Sequence, residues 1–118
     1  MVRYIGIDAP EARRRDGNHW VFDPEPFAQA ATDANRRFVE GKTVRLEYDV
    51  QTHDRFGRLL AYVYVPGEAG GEAMVNAELL RLGFAQLLTI PPDVKYAERF
   101  RAIASEARAA GRGLWGGR

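Results

Sequence analysis

The sequence predicts a single α+β domain that spans residues 1–118. Its length predicts one domain, since a typical domain has on the order of 150 residues. Hydrophobic residues make up 46% of the chain and aromatic residues 11%, which is enough for one packed core and argues against a disordered chain. The apolar pattern predicts elements in the order strand, helix, strand, strand, helix, helix.

The first half of the chain predicts one strand, one loop and one helix. Residues 2–7 are rich in strand-forming residues and end at the turn sequence Asp-Ala-Pro. Residues 11–25 are polar, and we expect a long exposed loop there. Asp23 and Pro24 are typical of a helix start, and Gly41 is typical of its end. The positions predicted to face the core from this helix are Phe27, Ala31, Ala34 and Phe38.

The second half predicts two strands and two helices. Apolar and polar residues alternate over residues 44–48, which is typical of a half-buried strand. Residues 59–65 are nearly all apolar, as in a strand covered on both faces. Helical spacing predicts helices over residues 73–82 and 94–110, separated by a short apolar segment at 84–90. The last helix is predicted to face the core with Tyr96, Phe100, Ile103, Ala104 and Ala107.

Composition excludes several classes of site. There is no cysteine, which excludes disulfides, thiolate metal sites and cysteine nucleophiles. Seventeen basic residues against sixteen acidic residues give a net charge of +1, so a nucleic-acid site has to be a local patch. We expect no membrane partner, because no apolar run approaches the roughly 20 residues that span a bilayer. The first residues do not read as a signal peptide, and the cellular compartment stays open.

Arg3, Asp8 and Glu11 form the first candidate site, at the end of the first strand and in the turn after it. Strand alternation places Arg3 on the same face as two isoleucines, where a buried guanidinium needs a charged partner. Asp8 and Glu11 are close enough across a proline turn to share a cation or to orient a water molecule. The cluster is either an anion-binding site or a solvated turn with a surface arginine.

The second candidate site is the sequence Asp-Arg-Phe-Gly-Arg at residues 54–58, which leads into the most apolar strand. Arg58 lies at the start of its strand, and two guanidinium groups at neighbouring strand ends, Arg3 and Arg58, can bind one phosphate. Phe56 either stacks on a base or covers the core. The arginines at 13–15 are either part of a solvated loop or a guide for a polyanion.

Two motifs in this order resemble the signatures of the staphylococcal nuclease (thermonuclease) family. Residues 3–11 are similar to that family's Arg-x-x-x-(Ile/Val)-Asp-(Ala/Thr)-Pro-Glu signature. Residues 54–63 are similar to its Asp-(Lys/Arg)-(Tyr/Phe)-Gly-Arg-x-Leu-Ala-Tyr signature. Residues 75–76, 83–85 and 113–115 fall where the family has comparable residues. The resemblance therefore covers essentially the whole chain.

The resemblance implies an OB-fold-type β-barrel with three α-helices and calcium-dependent hydrolysis of phosphodiester bonds. By resemblance, Arg3 and Arg58 clamp the scissile phosphate, and Glu11 is the general base that acts on, or positions, the attacking water. The resemblance also implies that Asp8 and the backbone carbonyl of Ala9 bind Ca²⁺. These groups would supply the charge stabilisation, positioned water and hard cation that in-line attack on a phosphodiester needs.

The implied partner is single-stranded DNA or RNA, and the substrate-binding positions are Arg55, Phe56 and Thr89. Phe56 and Thr89 fall where the family often has tyrosines beside the nucleotide. Phenylalanine keeps the stacking face without the hydroxyl, whereas threonine lacks both, so we expect weaker binding of the base. Members of this family are often secreted.

The chain departs from the family at its N-terminus. The family's barrel normally begins with two further strands, the first of which ends in an Asp-Gly-Asp-Thr type motif that gives calcium a second carboxylate. We therefore expect an N-terminally truncated barrel with weaker calcium binding. An open barrel edge is a place where strands can be exchanged, and a homodimer is one expected way of covering it.

Three functions stay open at this point. The first is a calcium-dependent nuclease, either active or impaired by the loss of the N-terminal metal-binding strands. The second is a catalytically weak or inactive nucleic-acid-binding OB module, and the third is a fragment that folds only with a partner. Family members built as binding modules usually lack the two arginines and the glutamate, so Arg3, Glu11 and Arg58 favour the enzyme.

Overall fold

A long central strand organises the chain in the computed structural model, which describes residues 2–9, 13–16, 19–22 and 27–116. The strands are β1 (Val2–Tyr4), β2 (Ile7–Asp8), β3 (Arg13–Asp16), β4 (His19–Phe22), β5 (Arg45–Glu47), β6 (Leu59–Pro66), β7 (Glu72–Met74) and β8 (Gln86–Leu87). The helices are α1 (Ala28–Val39), α2 (Val75–Arg81) and α3 (Ala97–Ala109), followed by a 3-10 turn at Gly113–Trp115. These elements confirm the α+β class and the three helices.

The central strand β6 belongs to a four-stranded sheet. Its first part pairs in parallel with β1, and its later parts pair antiparallel with β5 and β7. β2 pairs with β8, and β3 pairs with β4, in two separate two-stranded sheets. The strands in the described part of the chain do not close a barrel, so an OB-type barrel stays a prediction.

The predicted strand at residues 2–7 is broken at Gly6. This glycine has a φ of 85°, a conformation that residues with a Cβ atom rarely adopt. Phe100 of α3 packs so closely that a Cβ atom added at Gly6 would lie 2.5 Å from its ring. The chain therefore leaves β6 after Tyr4 and turns into β2, which pairs with β8.

The prediction of a long exposed loop at residues 11–25 is wrong for two segments. β3 and β4 pair antiparallel, with Asp16 opposite His19. β3 begins with three arginines, so it has no alternation of apolar and polar residues that would have indicated a strand. The helix start predicted at Asp23 and Pro24 lies outside the described residues.

The apolar helix faces are buried largely as predicted, with α2 packed on β6 and both other helices in contact with α2. Ala31 and Ala34 are buried from α1, and Phe100 and Ala104 are buried from α3. Phe27, which was expected to face the core, precedes α1 and is 42% exposed. Within the described residues, the helices are too short or too polar to cross a membrane.

The side chain of Asn76 in α2 forms hydrogen bonds with backbone groups where the pairing of β1 with β6 ends. This fully buried side chain accepts a hydrogen bond from the backbone N–H of Val63 at 2.9 Å. Its amide nitrogen donates to the carbonyls of Ile5 at 2.9 Å and Ala61 at 3.2 Å. Asn76 therefore joins α2 to β6 and to the turn that follows β1, next to Arg3.

A polar cluster ties β5, β6 and the start of α3 together. The Glu47 carboxylate accepts hydrogen bonds from the Tyr64 and Tyr96 hydroxyls, both at 2.8 Å, and from the Lys95 ammonium group. Burial tends to raise the pKa of Glu47, but these three donors outweigh it and lower the pKa to about 2. The Tyr96 ring also packs edge-on against the buried ring of Tyr62, with centroids 4.6 Å apart.

Candidate functional site

The two arginine-containing motifs of the sequence line one cavity of about 460 Å³. Because β1 and β6 run parallel, with Val2 opposite Leu59, their N-terminal ends lie side by side. Arg3 in β1 and Arg58 directly before β6 therefore line the same space, which we call the arginine cavity. Its lining residues are Arg3, Tyr4, Ile5, Gly6, Ile7, Gln51, Asp54, Arg55, Phe56, Arg58, Leu60, Leu88, Ile90 and Asp93.

Arg3 is held at this cavity by carbonyl groups of its own strand and turn. Its Nη1 donates to the carbonyl of Ile7 at 2.9 Å and to that of Tyr4 at 3.3 Å. The turn at Gly6 brings the Ile7 carbonyl back to the guanidinium. Both acceptors are neutral, so these bonds orient the side chain without neutralising its positive charge.

The Asp54 carboxylate fixes both the turn at residues 54–58 and the guanidinium of Arg58. Its Oδ1 accepts hydrogen bonds from the backbone N–H groups of Phe56 at 2.9 Å and Arg58 at 3.0 Å. Its Oδ2 accepts from Nε of Arg58 at 2.7 Å. Gly57 completes the turn with a φ of 81°. Since Arg58 uses Nε for this ion pair, its two terminal nitrogens remain available to a ligand in the cavity.

The same contacts set the charge of Asp54. Partial burial opposes its ionisation, but the backbone and side-chain hydrogen bonds from Arg58 and the backbone N–H of Phe56 prevail. They hold the pKa of Asp54 below its usual range. The Asp54 carboxylate is therefore ionised at neutral pH and maintains its ion pair with the Arg58 guanidinium.

Phe56 lies at the rim of the arginine cavity and is 69% exposed. Of the two roles that its sequence position left open, the structure excludes a core position. The guanidinium carbons of Arg55 and Arg58 lie 4.9 Å and 5.6 Å from the centroid of its ring. Cation–π contact therefore joins Phe56 to both arginines of its motif.

The segment after β8 contributes apolar side chains to the cavity. Leu88 and Ile90 line it and are 36% and 59% exposed. Thr89, which the sequence analysis selected as a substrate-binding residue, lies between them and is exposed but is not a lining residue. Neighbouring residues of an extended segment point to opposite sides, so the lining positions are the two that flank Thr89.

Gln51 and Asp93 also line the cavity, although the sequence analysis did not select them. Asp93 is buried, with 6% exposure, and its Oδ1 accepts a hydrogen bond from the backbone N–H of Gln51 at 2.7 Å. Asp93 directly follows two prolines in a segment without a recognisable motif. Only the tertiary fold brings it to the same cavity as Arg58, so no local signal could have identified it.

The residues expected to bind metal lie beside Arg3 rather than in the arginine cavity. Asp8 is exposed and directly follows Ile7, whose carbonyl binds Arg3. Ala9 lines a second cavity of about 250 Å³, which Arg3 also lines. Glu11 lies outside the described residues. Across the described ranges, three or more Asp, Glu or His side chains do not come together as a metal-binding group.

Comparison with known proteins places these residues in a family context. The model of the staphylococcal nuclease homologue family matches residues 1–117. The chain is 33% identical over 114 residues to the thermonuclease of Staphylococcus hyicus, covering 97% of this chain and 62% of the relative. It is 32% identical over 115 residues to endonuclease YncB of Bacillus subtilis, covering 97% of this chain and 50% of that protein.

A fungal relative shows the same partial coverage. The chain is 27% identical over 119 residues to the probable endonuclease LCL3 of Candida dubliniensis, which covers 98% of this chain and 47% of the relative. The chain thus spans between about half and 62% of the length of these relatives.

Proposed function

Because the chain belongs to the family of staphylococcal nuclease homologues, we propose that it is a calcium-dependent nuclease that hydrolyses phosphodiester bonds in single-stranded DNA or RNA. The observation that supports this most is the arginine cavity, which Arg3 and Arg58 line together from two segments far apart in the sequence. The names of the relatives, thermonuclease and endonuclease, point to the same chemistry.

Arg3 and Arg58 are the proposed phosphate clamp. The transition state of phosphodiester hydrolysis concentrates negative charge on the non-bridging oxygens, and guanidinium groups stabilise this charge through paired N–H donors. Asp54 supports the clamp because its ion pair with Nε holds the terminal nitrogens of Arg58 in one direction. Asp54 is therefore proposed as a positioning residue.

Glu11 is the proposed general base. A carboxylate in this position would accept a proton from the attacking water, or hold that water in line with the phosphorus. Its assignment depends on the motif at residues 3–11, in which it follows Asp8 by three positions.

Asp8 and the backbone carbonyl of Ala9 are the proposed calcium ligands. Both provide an oxygen ligand, the type that Ca²⁺ prefers. Asp8 is exposed and lies beside the turn that positions Arg3. When bound, the ion would supply positive charge next to the phosphate. Ca²⁺ takes 6–8 oxygen ligands, so water and substrate oxygens would have to complete the set.

Arg55, Phe56 and Thr89 are the proposed contacts to the rest of the nucleotide. An exposed aromatic ring stacks on an unpaired base, which supports a single-stranded substrate. Arg55 adds positive charge beside that ring. Thr89, exposed between two lining residues, is proposed to contact the substrate at the outer edge of the cavity.

The proposal is tested by cleavage of a labelled single-stranded DNA oligonucleotide in Ca²⁺ and in EGTA. We expect calcium-dependent cleavage that falls by about a hundredfold or more in Glu11→Gln and in Arg58→Ala. Glu98→Gln is the matched control, because it removes an exposed carboxylate on α3 and should leave the rate unchanged. Cleavage that persists in EGTA or in Glu11→Gln would contradict the assigned roles.

A nucleic-acid-binding module without turnover is the second candidate function. The observation in its favour is that the described residues bring no group of three metal-binding side chains together. Salt-sensitive binding of the oligonucleotide without cleavage would favour this candidate. This binding module could also form the predicted strand-exchanged homodimer. Sedimentation at twice the mass of the 13.2 kDa chain would support the homodimer.

A further inference from the structure

We propose that one face of the hairpin of β3 and β4 binds single-stranded nucleic acid beyond the nucleotide held in the arginine cavity. Two arginines and two aromatic residues form this face, which we call the ribbon face: Arg13, Arg15, Trp20 and Phe22. The inference rests on the proposed function, because it concerns how a long substrate of that nuclease is held. It adds a second contact surface to the site already described.

The register of the hairpin assigns these residues to one face. β3 and β4 pair antiparallel in a two-stranded sheet of their own, with Arg13 opposite Phe22 and Arg15 opposite Trp20. Directly opposed residues of an antiparallel pair share a face, and so do residues two apart along one strand. Both cross-strand pairs therefore lie on the same face, and each consists of an arginine and an aromatic residue.

The opposite face of the hairpin has a different composition. The register assigns Arg14 and Val21 to it, together with the pair of Asp16 and His19. There a single arginine is balanced by an aspartate, whereas the ribbon face has two arginines and no acidic residue. The aromatic residues of β4 thus fall on the side with more positive charge, which gives the hairpin one face suited to a polyanion.

The combination of arginine and aromatic residues indicates the kind of polyanion. Arginine binds the phosphates of any nucleic acid, and this contact depends strongly on salt. An aromatic ring stacks on a base only where the base is unpaired, so the aromatic residues favour a single strand over a duplex. Trp20 and Phe22 are two residues apart on one strand, about 7 Å, which suits successive bases of an extended single strand.

The ribbon face follows the proposed active-site motif directly along the chain. β3 begins at Arg13, four residues after Ala9, and Ala9 lines the second cavity together with Arg3. Four residues of fully extended chain span at most about 14 Å. The hairpin therefore starts close to the proposed phosphate clamp, and a strand held by the clamp can continue onto the ribbon face.

The arginines are tested by binding of a labelled oligothymidylate of about twelve nucleotides in EDTA, at several salt concentrations. Arg15→Gln should weaken binding and reduce the slope of log K against log salt by about 0.7, the contribution of one phosphate contact. Arg14→Gln is the matched control, because it removes the same charge from the opposite face of the same strand. Its slope should stay close to that of the unmodified chain, and equal changes in both variants would overturn the ribbon face.

The aromatic contact is tested at Trp20. Trp20→Leu removes the ring but stays apolar, and we expect it to weaken binding about tenfold. Trp20→Phe keeps a ring and should retain most of the affinity, while thermal melting shows whether each variant is folded. In a Trp115→Phe chain, Trp20 is the remaining tryptophan, and its fluorescence should be quenched when the oligonucleotide binds. Binding without quenching, or unchanged binding in Trp20→Leu, would overturn stacking on this residue.

Substrate length separates the ribbon face from the chemistry of the cavity. In Ca²⁺, Trp20→Leu and Arg15→Gln should raise KM for the long oligonucleotide and leave kcat/KM for a thymidine dinucleotide unchanged. Equal losses on both substrates would overturn a role confined to distant nucleotides.

The outcomes also separate this inference from the proposed nuclease activity. Binding that depends on the ribbon face without any cleavage would support the inference and overturn the nuclease. Cleavage that is indifferent to both ribbon variants would overturn the inference while the nuclease stands. Inorganic polyphosphate, which has the charge but no bases, should compete poorly, and competition equal to that of the oligonucleotide would contradict the stacking contribution.

Discussion

The hydrogen bond from Arg58 Nε to Asp54 explains how a long, flexible side chain is presented in one orientation. The carboxylate is itself fixed by two backbone N–H groups of the turn, so the turn, the carboxylate and the guanidinium form one rigid unit. Arg3 is oriented differently, by neutral carbonyls of its own segment. Both arginines are thus pre-organised, which would reduce the entropy lost on binding the proposed phosphate ligand.

Substitution of Asp54 tests this arrangement at the residue scale. Asp54→Asn keeps the size of the side chain but removes the charge that holds Arg58, so we expect kcat on single-stranded DNA to fall about tenfold, with a smaller change in KM. Glu98→Gln, which removes an exposed ion pair, is the control. An unchanged kcat in a folded Asp54→Asn variant would show that Arg58 does not need this partner.

At the scale of elements, the end of β1 is held by a side chain rather than by a further strand. Asn76 satisfies backbone groups of Ile5, Ala61 and Val63 where regular pairing between β1 and β6 stops. This allows the chain to turn at Gly6 towards β2 without leaving buried polar groups unpaired. The turn at Gly6 also positions the Ile7 carbonyl, which orients Arg3.

Asn76→Ala should therefore destabilise the fold strongly. It leaves buried backbone donors and acceptors without partners, and we expect a loss of about 3 kcal/mol in the free energy of unfolding measured with urea. Asn35→Ala is the comparison, because it removes one half-buried hydrogen bond, from the Tyr4 hydroxyl, and should cost about 1 kcal/mol. Equal losses in the two variants would contradict the bridging role of Asn76.

At the scale of the whole molecule, polar contacts attach α3 to the sheet beside the apolar core. Glu47 on β5 receives hydrogen bonds from Tyr64 on β6 and from Lys95 and Tyr96 before α3. The 3-10 turn is attached in a similar way, through a 2.8 Å hydrogen bond from the Leu114 N–H to the Gly83 carbonyl. These contacts fix the C-terminal half against the sheet.

The Glu47 cluster predicts how stability changes in acid. The pKa of Glu47 in the folded state is about 2, against an ordinary value of 4.5, so the folded state favours the ionised form. This contribution is complete above pH 4.5 and is lost as the pH falls towards 2. Screening by solvent limits it to on the order of 1 kcal/mol. Urea unfolding at several pH values should show a shallower acid dependence in Glu47→Gln, and identical slopes would contradict this.

The parts of the fold that the sequence predicted are those with local signals. The apolar run of β6, the helical spacing of α3 and the Asp-Arg-Phe-Gly-Arg turn each depend on neighbouring residues, and the structure contains all three. The strand predicted at 44–48 is shorter in the structure, where β5 covers only Arg45–Glu47. Val44 and Tyr48 at its two ends are 38% and 47% exposed. Alternation alone does not show where pairing with a neighbour stops.

Other features could not be predicted because they arise from contacts between distant segments. The pairing of β3 with β4 depends on the partner strand rather than on an apolar pattern in β3. Asp93 and Gln51 join the arginine cavity through tertiary packing alone. In the candidate site, the motifs predicted that Arg3 and Arg58 lie at neighbouring strand ends. The ion pair of Arg58 with Asp54 and the positions of Leu88, Ile90 and Asp93 became visible only in the structure.

The parallel pairing of β1 with β6 also has a kinetic consequence. Contacts between segments so far apart in sequence form slowly, because the long intervening chain has to be closed into a loop first. The two arginines are therefore separate in any partly folded state in which this pairing is missing, even if α2 and α3 have formed. Recovery of the proposed phosphate binding during refolding would therefore report completion of the central sheet rather than collapse of the chain.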